Sequence, residues 1–173
     1  MGIKAISLQS AIGDKIAWAE DLHRRLRHDL LQDEALNHLL EEVRSAIQDS
    51  HSEMAQTGIG DACKDCEERQ GGSCCGAGLE NHYSGLLLLI NLLLGVSLPK
   101  ERYDPASCFF LGKEGCQLLA RHVICINYLC KKITDQIDPH KIKALREREG
   151  VELEHLFLLK ERLKKVLAHL PES

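Results

Sequence analysis

The sequence predicts a mainly α-helical fold, a helical bundle that carries a Cys-rich loop and a small β-hairpin. Near both ends of the chain, apolar residues recur at three- to four-residue spacing, as on one face of a helix. Between these ends lies a stretch with weaker periodicity that contains all eight cysteines. A length of 173 residues suits one hydrophobic core, so we expect a single domain, 1–173.

The N-terminal region, 1–60, is predicted to form two amphipathic helices. The first covers about 3–31, with an expected break near Gly13. Asp33 is suited to cap the second helix, because its short carboxylate can accept from exposed backbone N–H groups. This helix should end within 57–60, where two glycines favour chain reversal.

The central region, 61–131, is predicted to contain the features that distinguish this chain. Four Gly and four Cys with little apolar periodicity predict an open loop over 61–78. The Leu-rich run 86–96 is predicted to be a buried helix capped by Asn81. At about 11 residues it is well short of the ~20 that cross a bilayer. The run CFFLGKEGCQLLA, 108–120, is predicted to be a β-hairpin turning at Gly-Lys-Glu-Gly.

The C-terminal region, 132–173, is predicted to be dominated by one helix. A shorter helix is expected from Arg121 to about 136, and Asp138-Pro139 then opens the last one, with Gly150 as an expected interruption. Its apolar stripe keeps heptad spacing at Leu156, Leu159, Leu163, Val166 and Leu170. The stripe suits either an internal bundle or a homodimer or protein partner, and the internal bundle is favoured.

Charge and composition exclude several classes of partner. The formal net charge is −4 and aromatic residues make up 4%, which argues against phosphate-backbone binding and base stacking, so no nucleic acid is expected. No run is long enough for a membrane span. The N-terminal 18 residues do not resemble a secretory signal, so we expect a cytoplasmic protein in which thiols stay reduced.

Clustering of the cysteines predicts metal ligation by thiolates. A thiol that only fills a core can lie anywhere in a chain, whereas these are confined to 63–130. The predicted ligands are Cys63, Cys66, Cys74, Cys75, Cys108, Cys116, Cys125 and Cys130. The cofactor is Zn²⁺ or an iron–sulfur cluster, which the spacing does not distinguish. Four thiolates complete one site, so eight allow two sites, or one cluster with additional redox-active thiols.

The order of these motifs resembles the YkgJ-type cysteine-cluster family of bacteria and archaea, described as zinc- or iron-chelating domains. The flagellin lysine N-methylases share this type of cluster. The C-x-x-C followed by a Cys-Cys pair is matched over 63–75. The downstream signature is matched by Cys108, Phe110, Leu111, Gly115, Cys116, Arg121, Cys125 and Cys130. Two departures are His122, where the family usually has Pro, and a longer segment before Cys74.

Other side chains offer alternative sites. His82 and His122 lie within the Cys-rich region and could ligate a metal, or have a structural role. Two Glu-x-x-His pairs have the spacing of di-iron bundles, with Glu41 or Glu42 as bridging carboxylates. These pairs are Glu20 with His23 and Glu152 with His155, and a surface position is favoured for both.

Three functions follow from this pattern. The first is a metal-binding protein whose cysteine cluster closes the 61–78 loop onto the hairpin and the following helix, so that loop and hairpin together close the metal site. The second is an enzyme, or an enzyme component, of protein modification, which is what the methylase kinship implies for an iron–sulfur cluster. The third is a thiol redox sensor that cycles between thiols and disulfides.

Overall fold

The computed structural model describes residues 6–70 and 74–169, and these are mainly helical, with a two-stranded antiparallel sheet. The helices are α1 (Ile12–Gln32), α2 (Glu34–Thr57), α3 (Ile59–Gln70), α4 (Gly85–Leu93), α5 (Val123–Asn127), α6 (Lys131–Gln136) and α7 (Pro139–His169). A 3₁₀ turn, Leu79–His82, precedes α4, and the strands are β1 (Leu111–Gly112) and β2 (Gly115–Cys116). The helical class and the hairpin are therefore confirmed, whereas closure of a metal site by the hairpin stays a prediction.

The helix pair α1 and α2 follows the sequence prediction except at its start. The α1 helix begins at Ile12, so the predicted helix is wrong for 6–11, and residues 3–5 lie outside the described part of the chain. Gly13 is in the first turn of α1 and does not break it. Asp33 caps α2 as predicted, since its Oδ1 accepts from the Leu36 N–H at 2.8 Å. The α2 helix ends at Gly58, which adopts a left-handed φ of 83°.

The main core is formed by two pairs of helices, α2 against α7 and α1 against α4. Leu156, Leu159 and Leu163 of the heptad stripe are buried inside the chain, which agrees with an internal bundle. The expected interruption at Gly150 is wrong, because α7 continues through it. Leu170 lies outside the described residues. No helix in 6–70 and 74–169 is long and apolar enough to cross a membrane.

The predicted open loop over 61–78 is wrong for its first half, which belongs to α3. The glycines that suggested a loop all follow this helix, and 61–70 consists largely of residues that form helices readily. An ion pair one turn apart, Asp65 Oδ1 to Arg69 Nη1 at 3.1 Å, lies on its surface. Residues 71–73 lie outside the described part.

The cap of α4 also differs from the prediction. Ser84, and not Asn81, caps it, with Oγ accepting from the Leu87 N–H at 3.2 Å. Asn81 lies in the preceding 3₁₀ turn, where its carbonyl accepts from the Nζ of buried Lys15 at 2.9 Å. The helix ends at Leu93, inside the predicted run 86–96, and Gly95 follows with a left-handed φ of 89°.

The single helix predicted over 121–136 is wrong, because the chain forms α5 and α6 with an extended break between them. The reason lies in α7. Arg146 donates to the carbonyls of Ile126 at 3.3 Å and Asn127 at 2.6 Å, which lack partners in a helix that ends there. The start of α7 is as predicted, since Asp138 Oδ1 accepts from the His140 N–H at 2.8 Å.

A second, smaller hydrophobic cluster lies apart from the main core. Its buried members are Ile59 of α3, Ile133 of α6 and Leu145 of α7. Ala62, Leu129 and Cys130 pack against them. This cluster holds α3 against α6 and against the beginning of α7.

Candidate metal centre

Four of the cysteines come from separate segments and lie close enough to influence the ionisation of one another. These inner thiols are Cys75, Cys108, Cys116 and Cys125. Each of them interacts electrostatically with each of the other three. Cys75 lies in residues 75–78, a segment that we call the strap, and Cys108 lies in the loop before β1. Cys116 belongs to β2 and Cys125 to α5.

Backbone pairing brings the first two inner thiols together. The Cys108 N–H donates to the Cys75 carbonyl at 2.6 Å, and Gly76 forms an antiparallel bridge with Ser107. The hairpin adds the third thiol. Its register pairs Cys116 with Leu111, whose N–H donates to the Cys108 carbonyl at 3.0 Å. Local hydrogen bonds therefore determine this part of the site.

A buried carboxylate ties the strap to the loop before the hairpin. Glu80 is 4% exposed, and its Oε2 accepts from the N–H groups of Gly78 at 2.9 Å and Phe109 at 3.4 Å. Its Oε1 pairs with Arg102, which also donates to the Ser107 carbonyl. Burial opposes the charge of Glu80, but the hydrogen bonds from Arg102 and the backbone outweigh it and lower the pKa of this carboxyl group.

The fourth inner thiol is held by a buried tyrosine. Tyr83 is 1% exposed, and its Oη donates to Cys125 Sγ at 3.7 Å while accepting from the His122 N–H at 3.1 Å. Its ring packs against Phe110 with the centroids 5.0 Å apart. Burial and the neighbouring thiols raise the pKa of Tyr83, so its hydroxyl keeps the proton that it donates to sulfur.

Asn91 is the residue that sequence reasoning missed. It is fully buried in α4, where its Nδ2 donates to the carbonyls of Leu87 and Ala120, both at 2.9 Å. Its Oδ1 accepts from the N–H groups of Leu119 at 2.9 Å and Ala120 at 3.0 Å. Asn91 therefore fixes the segment that connects Cys116 to Cys125. The signal in the sequence is a single amide inside an apolar run.

The environment of three inner thiols, Cys75, Cys108 and Cys116, favours their neutral form. Burial, followed by the neighbouring Cys116, Cys125, Cys108 and Cys74, raises the pKa of Cys75 to about 12. Burial likewise raises the pKa values of Cys108 and Cys116. Every cysteine of the chain is a reduced thiol. A metal ion would have to displace their protons, as it does in thiolate sites generally.

A second group of cysteines lies beside the small hydrophobic cluster. These outer thiols are Cys66, Cys74 and Cys130. Cys74 interacts electrostatically with Cys130 and Cys66, and its thiol forms a hydrogen bond with that of Cys130. Cys63 lies three residues before Cys66 on α3, which is the spacing of neighbours on one helix face. The fold therefore divides the adjacent Cys74 and Cys75 between two groups.

The thiols are close together, yet they are not arranged around a common point at bonding distance. In 6–70 and 74–169, no group of three or more Cys, His, Asp or Glu side chains is arranged so that it could hold a metal ion. The donor chemistry fits Zn²⁺ or an iron–sulfur cluster, because several thiolates are the ligands that both prefer. Ligation would require rotation of the side chains.

Several of the alternative ligands have other partners in the structure. His122 caps α5, with Nδ1 accepting from the Ile124 N–H at 3.2 Å, and its ring lies 5.6 Å from that of His82. Glu20 pairs with Lys100 at the surface. The surface position expected for Glu152 is wrong, since this residue is fully buried between α2 and α7.

The second Glu-x-x-His pair lies in a polar interface between α2 and α7. Glu152 accepts a hydrogen bond from the Ser50 hydroxyl, and His155 Nδ1 is 3.6 Å from Glu42 Oε2. Burial raises the pKa of Glu152, against the hydrogen bond from Ser50 and the charge of Arg121. These residues contribute to the bundle and do not form a di-iron arrangement.

No protein-family model, curated protein or solved structure matches this chain. The resemblance to the YkgJ-type family stays a prediction that depends on the cysteine motifs.

Proposed function

We propose that the protein binds a metal ion or an iron–sulfur cluster through the inner thiols, Cys75, Cys108, Cys116 and Cys125. One observation supports this above the others. Four cysteines from four separate segments interact pairwise in every combination. Burial of small apolar side chains does not require four thiols at one point, whereas a tetrahedral thiolate site does.

The surroundings of the inner thiols support the proposal. Three features each fix part of the backbone that carries these thiols: the Cys108 N–H bond to the Cys75 carbonyl, the hairpin and the buried Asn91. A backbone fixed in this way keeps the four thiols near one another, and binding of zinc would then require their side chains to rearrange until each sulfur lies about 2.3 Å from the ion. Tyr83 would then act as a hydrogen-bond donor to the Cys125 ligand, the kind of outer contact that orients metal ligands.

The role of the metal depends on its identity. Zn²⁺ bound by four thiolates has no open coordination position and stabilises a fold, because binding free energy becomes folding free energy. An iron–sulfur cluster at the same thiols would carry electrons, which would connect this protein with the enzyme alternative.

The experiment is metal analysis of protein purified without oxygen, combined with a visible spectrum. Stoichiometric zinc in a colourless protein supports the zinc form, and iron with sulfide and broad absorbance near ~400 nm supports the cluster. Cys125→Ser should abolish the metal bound at the inner thiols. Cys63→Ser, a change at an exposed thiol outside this group, is the matched control and should retain it.

Two results would contradict the proposal. One is full metal content in Cys125→Ser. The other is a metal-free wild-type protein whose thiols oxidise reversibly while the fold is retained, which would favour the thiol sensor instead.

A further inference from the structure

The small hydrophobic cluster has a thiol group of its own. The buried face of α3 contains Ile59 and Ala62, and Cys66 follows one turn later on the same face. On α6, Cys130 immediately precedes the helix and packs with Ile133 in the same cluster. The packing that joins these helices therefore brings Cys66 and Cys130 to one side of the fold.

The third outer thiol, Cys74, links this group to the chain that carries the inner thiols. Neighbouring side chains diverge from a backbone that becomes extended, as this one does at the bridge formed by Gly76. Cys74 accordingly interacts with Cys130 and Cys66, and Cys75 with the other inner thiols. The thiols therefore fall into two neighbouring groups, which meet at Cys74 and Cys75.

We propose that Cys66, Cys74 and Cys130 form a second metal site, which binds a soft divalent cation such as Zn²⁺ and exchanges it with solvent. The inference rests on the proposed function for its thiolate chemistry. It adds a division of the cysteines into two sites with different properties.

Ligand number distinguishes the two sites. Each group contains one exposed thiol, Cys74 or Cys116, and two half-buried ones, and the inner group adds the buried Cys108 as a fourth. Three thiolates leave the fourth position of a tetrahedral ion to water, to an incoming ligand or to Cys63. An ion held this way leaves and enters by ligand exchange at the open position, without opening the core. The inner site has no such position when four thiolates fill it.

The test uses the full-length protein, reduced and loaded with Zn²⁺, and follows transfer of zinc to a coloured chelator. The wild type should hold about two zinc ions per chain and release them in two phases at least about tenfold apart in rate, because an open site exchanges faster than a closed one. Cys130→Ser should remove the fast phase and keep the slow one. Cys125→Ser should remove the slow phase and keep the fast one.

A second variant separates loss of a ligand from loss of folding. Cys130 packs in the hydrophobic cluster, so its replacement by the more polar Ser can loosen α6. Cys74→Ser changes an exposed thiol and should remove the same fast phase with unchanged circular dichroism.

The possible outcomes distinguish the two proposals. A fast phase that survives both Cys130→Ser and Cys74→Ser overturns the second site. So does a single zinc ion that is lost in Cys125→Ser, and that result leaves the proposed function intact. Zinc that is retained in full by Cys125→Ser contradicts the inner site. A wild type that binds no zinc in this assay overturns the exchangeable site.

Discussion

Replacement of Asn91 by Ala tests how α4 supports the inner thiols. The amide makes four hydrogen bonds within the buried interior, three of them to backbone groups of Leu119 and Ala120. In Asn91→Ala the two N–H groups and the Ala120 carbonyl lose their partner, and the two groups of Ala120 stay buried. Each such group costs about 1–3 kcal/mol, so the free energy of unfolding should fall by about 3 kcal/mol or more.

This loss is a large part of the 5–15 kcal/mol that is typical of native proteins. We expect the midpoint of urea unfolding, measured on reduced, metal-free protein, to fall by about 1 M or more, given slopes of about 1–3 kcal/mol per M. Asn37→Ala is the matched control, because Asn37 is exposed on α2 and its replacement should change stability by no more than about 0.5 kcal/mol.

Asn91→Ala also tests whether metal binding at the inner thiols depends on this amide. The segment that Asn91 holds runs from Cys116 to Cys125, so its release should weaken metal binding at the inner thiols and leave the outer thiols unaffected. Competition with a zinc chelator measures both. A loss of stability below about 1 kcal/mol, or an unchanged inner affinity, would refute the idea that this amide organises the site.

Three further changes probe the bundle. A Cβ added to Gly85 would lie 2.6 Å from Cε3 of Trp18. Gly85→Ala should therefore destabilise the chain by about 1–3 kcal/mol, as measured by thermal unfolding. Gly150→Ala is the control, because Gly150 has open space around it and its replacement should not destabilise the chain. Burial raises the pKa of Glu152, so the unfolded chain loses this proton at lower pH than the folded one, and wild-type stability falls as pH rises from about 4.5 towards the raised value. Glu152→Gln should remove that fall. Urea unfolding at pH 5 and pH 8 measures this, and the stability of the variant relative to the wild type should be higher at pH 8 than at pH 5. An equal difference between variant and wild type at both pH values would contradict the prediction. Asp33→Ala should lower the free energy of unfolding by about 1 kcal/mol or more, because the cap of α2 is lost. The loss should be smaller in acid, since a hydrogen bond from α7 lowers the pKa of the Asp33 carboxyl group and the contribution of this group to stability disappears as pH falls through the lowered value. A loss that is independent of pH would count against this account.

Local physics explains which elements were predictable. The end of α2 at Gly58, the cap at Asp33 and the start of α7 at Asp138 follow from backbone preferences and short side-chain hydrogen bonds. The hairpin follows from a glycine turn between two apolar runs. Such features involve residues a few positions apart, so their energetics can be read from the sequence alone.

The helix predictions that were wrong depended on contacts between residues that are far apart in the sequence. The break between α5 and α6 depends on Arg146, which belongs to α7. Arg146 donates to carbonyls that would have accepted hydrogen bonds within the single helix predicted over 121–136. The glycines that follow α3 suggested a loop in place of this helix, and Ile59 has its buried partners on α6 and α7. No periodicity within either segment contains this information.

For the cysteines, the sequence by itself determined the kind of chemistry to expect, because eight clustered thiols in an otherwise cysteine-free chain favour metal ligation. Only the tertiary structure decided which thiols are neighbours. Cys75 lies beside Cys125, far away in the chain, whereas the adjacent Cys74 lies beside Cys130. The physical reason is that two separate hydrophobic clusters bring different elements together, and Cys75 and Cys125 pack against one of them while Cys130 packs against the other.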